Sequence, residues 1–271
     1  MSNLWVSVAV LGVVVLLSEA VRRAAVRLLR GSLSVYLLEA ASTFQLCCCS
    51  HELKLLSESV QLELPVALSL TYTMTVIHLL TFRDSTCNPS GAVDRACRGR
   101  FSFGTAGVVV ACQFAAAWAA RGFAASMWSL ALSEVHVQHQ KFGFRCFDPL
   151  GGTVLEAAGV ELACTFTVQA AAMHVHSVEE KLRAPLIAAV ITALVFTGGS
   201  ISGAVFNPVL AFSIQFPCSG HTYLDYCFIY WLGPVLGMVS CILLFEKILP
   251  FLSGKDTGRL DITAALKQKT Q

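Results

Sequence analysis

Two Asn-Pro steps in an apolar sequence limit the folds open to this chain more than any other feature. They lie in the runs CNPSG at 87–91 and FNPVL at 206–210, in matching places of the two halves. Asn is a favoured helix N-cap, and Pro is preorganised for the first helical position. Each run therefore predicts a short helix that begins in the middle of a bilayer, with its positive end facing a shared cavity. This arrangement is typical of a selective pore.

Composition and charge spacing indicate a polytopic membrane protein. Of the 271 residues, 55% are hydrophobic and 13% are charged, whereas about a quarter of the residues in a soluble domain are charged. The charges separate apolar stretches that are long enough to cross a bilayer. No block of basic residues is interleaved with aromatic ones, so we expect a lipid bilayer and no nucleic acid as partner. We predict six spans, at 33–55, 64–82, 103–132, 151–175, 184–199 and 226–249.

A further apolar stretch, at 4–17, precedes the six spans. It has the length of a signal peptide, but the positive charges of Arg22, Arg23, Arg27 and Arg30 follow it instead of preceding it. We favour a retained seventh helix with a non-cytosolic N-terminus over a segment that is cleaved or lies on the membrane surface. Residues 1–31 then form an N-terminal hydrophobic helix and a basic linker.

The distribution of basic residues predicts the orientation of the chain. Of the 19 Lys and Arg residues, fifteen fall in segments predicted to be cytosolic and three on the opposite side, while Arg121 lies inside the third span. Basic residues are concentrated on the cytosolic side of membrane proteins. We therefore expect the C-terminus in the cytosol.

The two halves of the chain are related to each other. Glu39-x-x-x-Thr43 in the first predicted span matches Glu161-x-x-x-Thr165 in the fourth, and the two glutamates precede their Asn-Pro steps by 49 and 46 residues. With three spans in each half, the second copy must enter the membrane from the opposite side. Inverted repeats place the substrate path where the two copies meet. We place these repeats at about 32–132 and 150–250.

These motifs resemble those of the aquaporin (major intrinsic protein) family, over roughly residues 33–250. The run SGAVFNP at 202–208 is similar to the second box of the family, and YWLGP at 230–234 to its last span. The run TFQLCCC at 43–49 and the polar residue after the first Asn-Pro step resemble the unorthodox branch. The resemblance implies an all-α membrane fold with six transmembrane helices and two re-entrant half-helices, plus the extra N-terminal helix. It also implies a homotetramer. Residues 32–253 are then the channel domain, and 254–271 a cytosolic tail.

The resemblance assigns supporting roles to three polar residues inside the spans. Glu39 and Glu161 are expected to brace the half-helix loops by accepting backbone N–H bonds, and Gln113 occupies a similar bracing position. Buried carboxylates are costly in a membrane and should face protein. An alternative role, a proton-relay carboxylate, would make the protein a coupled transporter.

The two Asn-Pro boxes are expected to line the pore. Each amide oxygen would cap its own half-helix while its NH2 group points into the lumen, where a passing water or hydroxyl group accepts from it. The paired helix N-termini would repel cations. The six residues assigned to the boxes are Asn88, Pro89, Ser90, Asn207, Pro208 and Val209.

The outer constriction departs from the pattern of water-selective members. Leu210 stands where they carry Arg, Val209 replaces the usual Ala, and Val195 stands where many carry His. Leu68 or Tyr72 of the second span is expected to add one further residue. An apolar constriction offers fewer hydrogen-bond donors, so we expect slower water passage and entry of small neutral solutes such as glycerol and hydrogen peroxide.

Arg121 has two interpretations, because an unpaired charge in a span costs several kcal/mol. It either pairs with a buried carboxylate or loop carbonyls, or supplies the positive charge missing at the outer constriction.

Most cysteines and histidines have ordinary structural explanations. The eleven cysteines are scattered through apolar spans, where they act as small hydrophobic residues. A disulfide among Cys146, Cys218 and Cys227 is left open. We interpret the pairs His136/His139 and His174/His176 as surface and interfacial histidines, and we expect no metal and no cofactor.

Lys267 and Lys269, the fifth and third residues from the end of the sequence, resemble a dilysine signal that returns membrane proteins to the endoplasmic reticulum. We therefore expect a passive channel for water and small neutral solutes in that membrane, with a cytosolic C-terminus. One rival is a membrane enzyme that uses Cys or His, for which no catalytic motif is present. The other rival is a pore-closed structural protein of the endoplasmic reticulum.

Overall fold

A computed structural model of the chain describes residues 3–60, 62–141, 143, 146, 150–216 and 218–253. These residues form ten helices, two of which are short and begin at an Asn-Pro step. The helices are α1 (Asn3–Leu28), α2 (Ser32–Ser59), α3 (Leu64–Thr81), α4 (Pro89–Cys97), α5 (Phe103–Ser129), α6 (Glu134–Lys141), α7 (Val154–His174), α8 (Glu180–Ser202), α9 (Pro208–Ile214) and α10 (Tyr223–Leu252).

Seven of these helices are long and apolar enough to cross a membrane: α1, α2, α3, α5, α7, α8 and α10. The half-helices α4 and α9 follow α3 and α8, at equivalent places in the two halves. The predicted all-α membrane fold with six core spans, two half-helices and an extra N-terminal helix is therefore confirmed.

The two halves pack in the same way. In the first half α5 lies along α2, and in the second α10 lies along α7, while α3 contacts α8 between the halves. Gly233 and Gly237 allow α10 to lie close to α7, because a Cβ at Gly237 would overlap the carbonyl oxygen of Leu162. Packing of this kind brings the two half-helices toward a common centre.

The N-terminal helix is longer than the sequence predicted. The apolar stretch at 4–17 continues through the basic residues to Leu28, and Arg22 is fully buried instead of lying in a solvated linker. Its guanidinium donates to Gln45 Oε1 at 2.8 Å and to Glu19 Oε2 at 3.0 Å. Glu19 also accepts from Arg83, in the loop before the first half-helix, at 3.2 Å. These contacts fix α1 along α2.

A buried carboxylate joins four helices at the other end of α1. Glu52 of α2 accepts from Ser7 of α1 at 2.5 Å and from Trp128 of α5 at 2.9 Å. His136 of α6 lies 3.2 Å from Glu52 Oε1 and is fully buried. The expectation of a surface histidine is therefore wrong for His136, because its ring has this carboxylate as a partner.

Local caps explain where helix ends differ from the predicted spans. Thr153 and Glu156 form a capping box, in which each side chain binds the backbone N–H of the other. The helix predicted from residue 151 consequently begins at Val154. Helix α6 lies between the third and fourth predicted spans, in a segment to which the sequence analysis assigned no helix.

One disulfide joins two of the loops. Cys146 and Cys218 are bonded, with their Cα atoms 4.8 Å apart and 72 residues between them in sequence. Cys227 is free. Of the pairings left open by the sequence, the structure therefore selects Cys146–Cys218.

Candidate functional site

The two half-helices begin at the asparagines of the Asn-Pro steps. Asn88 Oδ1 accepts from the backbone N–H of Ser90 at 3.0 Å. Asn207 Oδ1 accepts from Val209 at 3.0 Å and from Leu210 at 3.4 Å. Pro89 and Pro208 occupy the first positions of α4 and α9. Each box therefore starts its helix as the residue preferences require.

The two boxes also bind each other. Asn88 Nδ2 donates to the carbonyl oxygen of Phe206 at 3.4 Å, and Asn207 Nδ2 donates to that of Cys87 at 2.7 Å. Each NH2 group has two hydrogens. One hydrogen of each NH2 group thus joins the loops, and the other has no hydrogen-bond partner among the described residues. The sequence predicted the free donor but not the crossed pair of bonds.

The residue before each asparagine has a left-handed backbone. Cys87 has φ 51° and Phe206 has φ 37°. Such a conformation costs a residue other than glycine about 1–3 kcal/mol and persists only where neighbouring groups hold it. In this conformation the carbonyl groups of Cys87 and Phe206 face the opposite asparagines and accept their hydrogen bonds. The strained backbone is therefore part of the arrangement that forms these two hydrogen bonds.

Glu39 holds the first strained loop. Its carboxylate accepts from the backbone N–H of Thr86 at 3.0 Å and from that of Cys87. It also accepts from the hydroxyl of Thr86 and from Gln113 Nε2, both at 2.8 Å. Glu39 is 1% exposed and Gln113 is fully buried. The structure thus places both residues against the first loop.

Glu161 holds the second strained loop in the same way. It accepts from the backbone N–H of Val205 at 3.0 Å and from that of Phe206. The hydroxyl of Ser202 donates to it at 2.6 Å, and Tyr230 OH donates to the carbonyl oxygen of Ser202 at 2.7 Å. Sequence reasoning missed Ser202 and the side-chain role of Tyr230, although both lie in motifs quoted for the family resemblance.

A cavity of about 650 Å³ opens beside the second half-helix. Leu210 and Val195 both line it, and of the two candidates from the second span Leu68 lines it. Tyr72 instead faces a neighbouring recess between α3 and α8. The residues assigned to the outer constriction therefore share one cavity, which we call the pore mouth.

Two other box residues are buried and are not among the residues that line the pore mouth. Val209 is fully buried and packs with the cluster formed by α1, α2 and α5. Ser90 is 6% exposed. Their differences from the usual family residues are therefore differences in packing beside the pore.

The ammonium group of Lys54, at the pore mouth, binds the C-terminal end of α9. Lys54 Nζ donates to the carbonyl oxygen of Ile214 at 3.0 Å and to Gln215 Oε1 at 2.8 Å. Glu58 Oε1 lies 3.8 Å from the same nitrogen. No sequence pattern predicted this contact, because it joins positions about 160 residues apart.

Arg121 does not line the pore mouth. It lies in a second cavity behind α9, with His51, Lys54 and Trp128. Within the described residues it forms no ion pair and no side-chain hydrogen bond. Neither the expected pair with a buried carboxylate nor a place at the outer constriction is therefore found.

Two further predictions concern metal binding and the two lysines near the end of the sequence. In the described parts of the chain, no three His, Cys, Asp or Glu side chains are grouped as metal ligands would be. Lys267 and Lys269 lie outside the described residues.

Comparison with known proteins gives consistent matches along most of the chain. Residues 34–245 match the sequence profile of the family described as Major intrinsic protein. Aquaporin-11 of Homo sapiens is 38% identical over 247 residues, which cover 91% of this chain and 90% of that protein. Aquaporin-12 of Mus musculus is 30% identical over 257 residues, which cover 93% and 89%. The aquaglyceroporin from Plasmodium falciparum, known from an X-ray structure, shares the fold with a TM-score of 0.64 at 14% identity, over 80% of this chain and 96% of that one.

Proposed function

The chain belongs to the major intrinsic protein family, and on that basis we propose that it conducts water, glycerol and hydrogen peroxide passively across the endoplasmic reticulum membrane. The resemblance to aquaporins noted in the sequence is confirmed. Membership of this family supports a multi-pass membrane channel for water or small solutes. The choice of solutes and the membrane are the proposal.

The observation that carries the proposal is the meeting of the two asparagine amides. Each side-chain amide uses its oxygen to cap a half-helix and one N–H to bind the opposite loop. In the part of the chain that the structure describes, Asn88 and Asn207 therefore each keep one free N–H. A molecule between them would meet two hydrogen-bond donors. Both half-helices begin there, and the positive ends of their dipoles oppose cations. Neutral molecules that accept hydrogen bonds are therefore the favoured permeants.

The two buried glutamates fit a supporting role better than a proton relay. The described donors to Glu39 and Glu161 occupy both oxygens of each carboxylate. A relay carboxylate needs a free oxygen that faces the transport path. The coupled-transporter alternative therefore loses its main candidates.

The pore mouth supports solutes larger than water. Leu210, Val195 and Leu68 are apolar, and they share a cavity of about 650 Å³. Water passing an apolar wall loses hydrogen bonds that the wall cannot replace. The carbon backbone of glycerol loses less at such a wall, and hydrogen peroxide is close to water in size. We therefore propose that glycerol and hydrogen peroxide pass through the pore in addition to water.

Two features support the proposed orientation. Most basic residues lie on the predicted cytosolic side. The Cys146–Cys218 disulfide joins the segments after α5 and α9, which the predicted topology places on the opposite side. Disulfides persist in oxidising compartments such as the endoplasmic reticulum lumen. A cytosolic C-terminus would also expose Lys267 and Lys269 to a retrieval receptor. Epitope accessibility after selective permeabilisation tests this orientation.

Assembly as a homotetramer is proposed from the family resemblance. Each protomer would carry its own pore, since both asparagines belong to one chain. Light scattering of the detergent-solubilised protein, corrected for bound detergent, tests this proposal: a mass of one or two chains would contradict it.

Flux measurements on the purified protein in proteoliposomes test the proposed function. Stopped-flow light scattering reports water and glycerol entry, and an encapsulated peroxide-sensitive dye reports hydrogen peroxide. We expect all three fluxes to exceed those of empty liposomes. A correctly assembled protein without flux for any of them would favour the pore-closed structural alternative.

A further inference from the structure

A second cavity of about 200 Å³ lies behind the half-helix α9, beside the pore mouth. Its walls come from α2, α5, α6 and α9, with Cys146 of the disulfide at its edge. It shares Lys54, Glu58 and Ile214 with the pore mouth, but Leu210 and Val195 are not among its lining residues. The two cavities are therefore adjacent, and Leu210 and Val195 belong to the pore mouth alone.

Arg121 is the uncompensated charge in this cavity. It lies about two turns before the end of α5 and is partly buried. In the described part of the chain it has no ion-pair partner and no side-chain hydrogen bond. A guanidinium stays protonated in proteins, and a cation inside a membrane span costs several kcal/mol unless it is paired. An anion in the cavity would remove this cost.

The other polar groups that face the cavity already have partners. Lys54 binds Ile214 and Gln215 and lies 3.8 Å from the carboxylate of Glu58. His51 Nε2 lies 3.1 Å from the hydroxyl of Ser213.

The charged groups that line the cavity can be named within the described residues. Burial lowers the pKa of His139, and the neighbouring His136 and Lys54 lower it further, so His139 is neutral near pH 7. The fixed charges among the described lining residues are the cations of Arg121 and Lys54 and the carboxylate of Glu58, and Glu58 is an ion-pair partner of Lys54 and not of Arg121.

We propose that this cavity binds a small monovalent carboxylate-type anion, held by the guanidinium of Arg121. Arg121 is one guanidinium without an ion-pair partner in the described part of the chain, and its single charge matches an anion of one charge. The planar fork of a guanidinium matches the two oxygens of a carboxylate. A volume of about 200 Å³ limits the occupant to roughly the size of acetate with a few waters. The bound anion would lie against the half-helix that carries Asn207.

Fluorescence of Trp128, which lines the cavity, provides a direct test. The full-length protein in detergent would carry Phe in place of Trp5, Trp118 and Trp231, which leaves Trp128 as its only indole. Nitrate, a planar monovalent anion that quenches indole fluorescence, is the probe. Lifetimes are measured at constant ionic strength with chloride as the balancing salt. We expect saturable quenching by nitrate that acetate reverses, and only linear quenching by the cation caesium.

Variants of the cavity complete the test. Arg121→Gln should abolish the saturable component, whereas Lys181→Gln, at a side chain that is 77% exposed, should leave it unchanged. Arg121→Lys keeps the charge without the fork and should weaken nitrate binding by about tenfold. If Arg121→Gln does not fold, two measurements still test the proposal: the comparison of nitrate with caesium, and nitrate binding to the Arg121→Lys variant. Linear nitrate quenching, saturation that persists in Arg121→Gln, or failure of acetate to compete would each overturn the proposal.

Discussion

Replacing Glu161 by Gln tests whether a buried carboxylate holds the second half-helix loop in place. Glu161 Oε1 accepts from Ser202 at 2.6 Å and from Val205 at 3.0 Å, and Oε2 accepts from the N–H of Phe206. An amide has one oxygen, so at least one of these donors would face an NH2 group. A lost hydrogen bond to a charged group costs about 1.5–3 kcal/mol. The two remaining bonds would fall to about half their strength without the charge. We expect the free energy of unfolding to fall by about 3–6 kcal/mol in total.

The loss is measured by thermal unfolding in detergent and by water flux in proteoliposomes, normalised to folded protein. A destabilisation of this size corresponds to a decrease in Tm on the order of 10 °C for a chain of this length. Flux should fall as well, because the loop positions the carbonyl of Phe206 that binds Asn88. Glu179→Gln is the matched control, since its carboxylate is 67% exposed and pairs with Lys181; its loss should stay below about 1 kcal/mol. A Tm and a flux for Glu161→Gln equal to those of the control would show that the carboxylate of Glu161 does not hold the second half-helix loop in place.

Three further substitutions, two of them with a matched control variant, test other parts of the structure. Leu210→Arg places a fixed cation at the pore mouth, and stopped-flow should show glycerol flux reduced by about tenfold, the effect of roughly 1.4 kcal/mol on the barrier. Cys218→Ser opens a disulfide that spans 72 residues and should lower the free energy of unfolding by about 4 kcal/mol. Cys227→Ser, at a free cysteine, should change it by less than about 1 kcal/mol. Arg22→Ala removes a fully buried guanidinium and should cost about 3 kcal/mol, whereas Arg23→Ala, at a side chain 65% exposed, should cost less than about 1 kcal/mol. Thermal unfolding in detergent checks these four values.

Each of these predictions has a result that contradicts it. Unchanged glycerol flux in Leu210→Arg would mean that the pore-mouth cavity does not limit permeation. Equal Tm values for the two cysteine variants in non-reducing buffer would contradict the Cys146–Cys218 bond. Equal losses for the two arginine variants would contradict the packing of α1 against α2.

The sequence identified the features of the fold that depend on local residue types. Asn and Pro have strong preferences for the first positions of a helix, so Asn88 and Asn207 located both half-helices without reference to the rest of the chain. Long apolar stretches located the spans in the same way. The repeat of Glu39 and Glu161 then related the two halves.

The sequence did not identify the contacts that join distant positions. The crossed bonds between Asn207 and Cys87 connect residues 120 apart, and the binding of Ser7, Trp128 and His136 to Glu52 joins four helices. Burial of Arg22 was missed for a related reason, since a basic residue after an apolar stretch is more often solvated. Arg22 finds its partner Gln45 only because α1 packs along α2, and this packing is not evident from the sequence.

The most direct test of the central claim is water and hydrogen peroxide flux through the Asn207→Asp variant. Asp caps a helix as well as Asn does, so α9 should still form and the protein should remain assembled. The carboxylate would replace the NH2 donor, lose the bond to the carbonyl of Cys87 and introduce a negative charge between the half-helices. We expect both neutral fluxes to fall by about tenfold or more, the effect of one lost hydrogen bond of roughly 1.4 kcal/mol. We also expect cation leakage to rise. Unchanged neutral flux and unchanged cation exclusion in the assembled variant would contradict the claim that these two amides form the selective centre of the pore.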